Sequence, residues 1–364
     1  MKPIGQYLAI AVVASLFVGM TAVAQDEAPQ ASFIGNPVGE TVLADQAWET
    51  AVPIHLASSG DDHTGHVAHQ GGDCCRDCPE AYGPCWTFRG GALFLQQSRP
   101  SGVNLAVGVD FVPLINARDF GFDMQSGWEV GAVRRIDDEN SLDFRYFQVD
   151  GWDDTLTSAP VNFSSVSFPS GLTSAVGFSH TVTSAYNSLL RSAEFNVRRE
   201  RSDCLALLAG FRYVNLQESL VVDQVGYFSH RVETRNHLYG GQVGAEVFFG
   251  ARGNLRLDGW AKAGIFGNDA YSDYAYRDNA FAANDVNAAG RQGQVSFVGD
   301  LGLTASYRLT HHIVLRGGYQ MLWIDGVALG SDQFKVQPVN GGFGIGTTGG
   351  TFYHGALAGL EVNW

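Results

Sequence analysis

Charge is scarce in this 364-residue chain, with only 16% of positions charged and 23 basic residues against 37 acidic ones. The net charge of −14 excludes a nucleic-acid binder that works by neutralising phosphates. Past the first two dozen residues, no stretch reaches the ~18 continuous apolar residues of a membrane helix. Met is rare at 4. The G-x-S-x-G, Walker and H-E-x-x-H patterns are missing, so no catalytic, cofactor-binding or metal site is expected. What is present is 45 Gly with 7 Trp, 13 Tyr and 23 Phe. Helical bundles favour Ala, Leu, Glu and Lys, so this balance predicts β structure with many tight turns. The hydrophobic share of 45% is too high for a disordered chain, and the length fits two soluble domains or one large barrel.

Residues 1–24 read as an export signal. Lys2 supplies a weak positive start, Leu8 to Val18 is apolar, and Ala22-Val23-Ala24 is a small-x-small cleavage site. The apolar run is short for a membrane anchor, and no Cys follows the cleavage site to carry lipid. Residues 25–85 show no period and read as a loosely ordered segment leading into the fold. Cys74, Cys75, Cys78 and Cys85 crowd its end, while Cys204 stands alone. Outside the cytoplasm such thiols tend to pair, and local disulfides among the four are expected. Metal binding with His63, His66 and His69 is the alternative, as is pairing of Cys204 with the cluster or with another chain. There is no second C-x-x-C, and Gly60, Gly65, Gly71 and Gly72 oppose the helix that would align the three histidines.

From Trp86 onward hydropathy alternates every second residue, the mark of half-buried strands. In Leu255–Ile265 one face carries Leu255, Leu257, Gly259, Ala261, Ala263 and Ile265, and the other Arg256, Asp258, Trp260, Lys262 and Gly264. Strand signals predict about ten strands, at 86–97, 126–136, 141–150, 183–198, 204–218, 232–249, 254–267, 293–308, 313–323 and 351–364. Two are awkward: 86–97 does not declare its apolar face, and Arg191 falls on the apolar face of 183–198.

The connections alternate strictly between long (98–125, 151–182, 219–231, 268–292, 324–350) and short. A soluble sandwich has no reason for this, whereas a transmembrane barrel has short periplasmic turns and long outer loops. Lipid offers no hydrogen bonds, so an exported chain without apolar helices crosses a membrane only as a closed sheet. The expected fold is all-β, an antiparallel outer-membrane barrel of about ten strands over residues 86–364. Its C-terminal strand carries Ala356, Ala358, Leu360, Val362 and Trp364 at two-residue steps, resembling the signal read by the barrel assembly machinery. That machinery and outer-membrane lipid are the expected partners; nucleic acid is not, and the solute stays unknown.

Gly210-Phe-Arg-Tyr-Val-Asn-Leu-Gln-Glu218 and Asn236-His-Leu-Tyr-Gly-Gly-Gln-Val-Gly244 resemble a beta-barrel porin family of planctomycetes, the seventh of its naming series. The resemblance covers roughly residues 80–364 and implies an outer-membrane barrel without a known substrate.

Asp143, Arg145, Glu194, Arg198, Arg212, Glu246, Arg256, Asp258, Lys262, Asp300, Arg316 and Glu361 fall on the polar phase of their strands and are expected to face the lumen. Mixed signs in a narrow barrel should pair, because isolated buried charges are costly. About ten strands is also far below the 16–18 of an open aqueous channel. Porin-like, limited passage of small solutes is the leading expectation, with a non-conducting surface, adhesion or structural barrel as the alternative. An enzyme built on Asp153, Asp154 and His180 is the lesser rival. Asp269, Asp273, Asp278 and Asp285 crowd one predicted loop, where solvated charge is expected over a cation site.

Overall fold

The alternation that begins at Trp86 is realised as ten antiparallel strands closed into one barrel in the computed structural model. It describes residues 86–107, 112–160, 166–167, 173–174, 181–224, 226–279, 285–335, 338–339 and 342–364. The expected export signal, the lead-in, the four clustered cysteines, the three histidines upstream of them and His180 lie outside the described residues.

The barrel strands are β1 Trp86–Gln97, β2 Gln125–Arg135, β3 Asn140–Thr157, β4 Thr183–Ser202 and β5 Leu205–Gln224. They continue as β6 Phe228–Arg252, β7 Leu255–Asp278, β8 Val286–Arg308, β9 Ile313–Val327 and β10 Gly349–Asn363. Each pairs with its sequence neighbour, and β1 closes on β10 from Thr87↔Asn363 to Gln97↔Tyr353. The seam is tied at its end by backbone bonds in both directions between Trp86 and Trp364, at 2.9 and 2.8 Å. Over the levels where all ten strands pair no edge is left open, which is the condition for a sheet to stand in lipid. Further out, residues 286–296 of β8 have no partner strand on the β9 side among the described residues.

All ten predicted strands exist, but those on the β3–β9 side run further than the sequence suggested. The predicted 219–231 loop is a tight hairpin between Gln224 and Phe228, turned at Gly226 with a φ of 84°. Most of the predicted 268–292 loop is strand as well, since β7 reaches Asp278 and β8 begins at Val286. The physical reason is an inversion of the hydropathy phase. Low on β5 the outward residues are Leu205, Leu207, Ala209 and Phe211; above Tyr213 they become Asn215, Gln217 and Ser219, while Val214, Leu216, Leu220 and Val222 point in and are buried. The backbone stays paired, although the pattern on each face has switched.

The outer wall between these levels is apolar. Phe88, Val130, Phe144, Phe195, Phe211, Val243, Ile265, Leu303, Leu315 and Leu360 are all exposed on it. Tyrosines and tryptophans border the belt, among them Trp128 against Tyr146 and Tyr213 against Tyr239 above, and Trp86 and Trp364 below. A belt of this kind is what lipid requires. The protein is an outer-membrane β-barrel. Short turns close the periplasmic end; in one of them the Asp137 carboxylate accepts from the backbone N–H groups of Glu139 and Asn140 at 2.9 and 2.8 Å. Those bonds, with the Asn140 side chain first, hold its carboxyl below the usual range.

Candidate functional site

Inside the belt, the lumen is filled by a layer of paired charges. Arg145 donates to Glu129 through Nε at 2.8 Å and to the Gln320 side chain at 2.7 Å. Glu194 accepts from Lys262 Nζ on both oxygens at 3.0 Å and from Gln242 at 2.7 Å. Arg212 donates to Asp300 at 3.0 Å and to Ser192 at 2.9 Å. Asp300 also accepts from the Trp260 indole N–H at 3.0 Å and from Gln320 at 3.2 Å. Trp260 reaches it because its ring lies over Gly302, where any Cβ would collide with the indole.

Every strand from β2 to β9 contributes a side chain to this layer. Arg212, Asp300, Gln320 and Asn196 have no accessible surface, so side chains close the middle of the lumen there. Buried charge is tolerated because each member finds opposite charge or donors within reach.

Towards the periplasm the pairs are more open. Glu361 meets Arg89 at 3.4 Å and Arg316 at 3.9 Å, Arg198 meets Glu246 at 2.8 Å, and Arg256 meets Asp258 at 2.7 Å. Asp143 is buried in the field of Arg89 and Lys262. The structure thus places the twelve charges expected inside at two levels of the lumen, a connected layer around Arg212 and Asp300 and a set of separate pairs nearer the periplasm. Arg89, Glu129, Gln242 and Gln320 belong with them; the two glutamines fall on the polar phase of their strands, whereas Arg89 and Glu129 were missed. Glu129 alternates with Trp128 and Val130 and could have been found by the same rule; Arg89 sits in the strand whose faces the sequence left undeclared.

Above the charges the interior turns apolar. Leu93, Leu95, Phe147, Val149, Trp152, Leu190, Leu216, Leu238, Phe266 and Leu322 are buried there, and the Trp152 indole donates to the Leu95 carbonyl at 3.0 Å. Two connections fold into this space. One contributes the buried Val103, Leu105, Ile115, Phe120 and Phe122 and packs Phe120 and Phe122 on Tyr186, with ring centroids 5.4 and 5.1 Å away. The other holds a one-turn helix, Gly330–Gln333, and the buried Ala328, Leu329 and Phe334.

The wall grips this second insert through polar side chains. Asn236 both donates to the Ala328 carbonyl and accepts its N–H, each at 2.8 Å. Glu218 accepts from the Gly330 N–H at 2.8 Å and from Gln97 at 3.3 Å. Burial pushes the Glu218 carboxyl up to about 7, against the hydrogen bonds from Tyr186, Gly330 and Gln97 that favour its charge. The His230 ring lies tilted against Phe334 with centroids 4.2 Å apart, and burial drives it down to about 3, so the imidazole there is neutral.

The remaining sequence candidates do not converge. Asp153 and Asp154 point to opposite faces of β3, and Asp154 is occupied by the Gly121 N–H at 2.7 Å. Of the four acidic residues expected in one loop, Asp269 and Asp273 face outward on β7, Asp278 faces inward, and Asp285 binds Arg277 at 3.1 Å. Among the described residues no group of three or more His, Cys, Asp or Glu side chains could hold a metal ion. The five C-terminal residues at two-residue steps lie on β10 and its end, with Leu360, Val362 and Trp364 exposed on the outer wall.

No family model matches the sequence, and no curated protein does. Among solved structures, the outer membrane protease OmpT of Escherichia coli is similar at 8% identity and a TM-score of 0.45, over 77% of this chain and 96% of that one. The translocator domain of the autotransporter NalP of Neisseria meningitidis is similar at 10% identity and 0.40, over 79% and 90%. The P. putida toluene transporter TodX is similar at 8% identity and 0.29, over 78% and 90%.

Proposed function

We propose that this protein is a non-conducting outer-membrane barrel that holds a protruding β-structure at the cell surface. One observation carries the reading: the layer around Arg212 and Asp300 spans the lumen with no accessible surface at its centre. A solute path needs a continuous water-filled bore, whose lining side chains would be accessible. The apolar filling above the layer adds a second barrier of a different chemistry. Beyond the belt, β5 to β8 rise by roughly ten further residues each, or about 30 Å of strand, with polar outward faces. That is a rigid platform suited to surface contacts.

Porin-like, limited passage of small solutes is the second reading. Its supporting feature is that the outer mouth is filled by inserts rather than by the wall itself, and an insert held by Asn236 and Glu218 is a part that could be displaced. Swelling of vesicles containing the purified protein separates the two. The first reading predicts no glycine or small-sugar entry above that of empty vesicles; entry that falls with solute size supports the second.

A further inference from the structure

We propose that the outer wall just above the lipid belt carries a binding site for the phosphate of an outer-leaflet lipid, built on Arg235 and His237. The two residues stand on the outward face of β6 beside a cleft of about 290 Å³, lined also by Tyr239, Asp269 and Tyr271.

The tautomer of His237 is set by its neighbours. Gln217 Nε2 donates to Asn215 Oδ1 at 2.9 Å, which turns the Asn215 amide nitrogen the other way. That nitrogen lies 3.2 Å from His237 Nδ1, and the Tyr213 hydroxyl lies 2.8 Å from it. An amide nitrogen can only donate, so Nδ1 accepts and the ring proton sits on Nε2. Among the described residues, Nε2 has no hydrogen-bond partner. The cleft therefore offers a donor held in one tautomer.

Arg235 adds a second. Its side chain is half exposed and spends one nitrogen on Glu233 at 3.4 Å. The nearby carboxylates are already engaged. Glu233 also takes Arg231, and Asp269 takes Arg291 at 2.7 and 2.6 Å and the Tyr271 hydroxyl at 2.8 Å. Asp273 lies further out and lines a separate cleft with Arg231 and Glu233. Asp269 lines the nearer cleft but is neutralised by Arg291, so the groups left free to bind are the donors of His237 and Arg235, which suit an acceptor-rich anion.

Position selects the source of that anion. Tyr239 forms the lower wall of the cleft, and below it Val243 and Ile265 are 66% and 71% exposed in the acyl zone. A ligand spanning the boundary is an amphiphile with its phosphate at headgroup height.

The test is native mass spectrometry of the full chain purified in detergent. It is titrated with dihexanoyl phosphatidic acid, with dihexanoylglycerol, which lacks the phosphate, and with inorganic phosphate. The expected result is a saturable one-to-one adduct with phosphatidic acid and weak binding of the other two. Arg235→Gln with His237→Phe should weaken that adduct by about tenfold or more. Arg277→Gln, an exposed arginine further out on β7, should not. Retained fold is checked by heat-modifiable gel mobility, and Arg235→Gln alone serves if the double variant fails that check. Equal phosphatidic acid binding by wild type and variant, or no adduct at all, overturns the proposal. Inorganic phosphate bound as well as phosphatidic acid would make it a soluble-anion site and overturn the lipid assignment.

Discussion

Arg212 on β5 donates to Asp300 on β8 across the centre of the barrel at 3.0 Å, with both side chains fully buried. The pair bridges strands that are not neighbours in the sheet, so it ties two parts of the wall three strands apart through the lumen. Removing one partner strands a charge away from water. Arg212→Met is expected to destabilise the barrel by about 3–5 kcal/mol. Arg212→Met with Asp300→Asn should cost clearly less than the sum of the two single changes. Urea unfolding in lipid vesicles measures the cycle, and additive losses would mean the two residues are energetically independent.

The lipid belt gives a second expectation. Val243 faces lipid at mid-belt on β6, whereas Ser219 faces outward on β5 above it. Val243→Arg should cost about 2–4 kcal/mol, the range for a cation on a barrel's lipid face at the membrane midplane. Ser219→Arg should change stability little. Equal losses at both positions would argue that the belt is not where lipid sits.

Glu218 makes stability depend on pH. Its folded carboxyl is raised to about 7 by burial, above the ordinary carboxyl value, so between about 4.5 and 7 the native state holds a proton that the unfolded state has released. Stability from this group is therefore full below about 4.5, declines as pH rises towards 7, and is level above it. The loss is up to about 3 kcal/mol. Glu218→Gln keeps the protonated form's shape and should flatten that slope in unfolding measured from pH 5 to 8. An unchanged slope would place the titration elsewhere.

Asn236 is the clamp on the inserted helix. Asn236→Leu removes both bonds to Ala328 and should speed tryptic cleavage at Lys335, two residues beyond the helix. Mass spectrometry of timed digests reads this, and identical cleavage rates would show that the apolar contacts of Leu329 and Phe334 hold the insert without it.

Much of this was legible in the sequence, and the exceptions have a common cause. The ten strands and the inward phase of Arg145, Glu194, Arg212 and Lys262 follow from alternation alone, because within lipid only one face can be apolar. Above Tyr213 that constraint is gone: Leu216 and Val222 turn inward to pack the inserts while Gln217 and Ser219 meet water. Two adjacent non-alternating residues, Tyr213 and Val214, mark the crossing and look like a strand losing its pattern. The inserts themselves were not legible, since Asn236, Glu218 and Gly330 meet only once the barrel closes.

Single-channel recording in planar bilayers tests the central claim most directly. Insertion is verified by recovering the folded, heat-modifiable band from the same membranes. With the layer around Arg212 and Asp300 intact, the barrel is expected to pass no resolved current steps across the voltage range. A steady, reproducible single-channel conductance from wild-type protein would contradict the account, because it requires a water-filled path through side chains that here have no accessible surface.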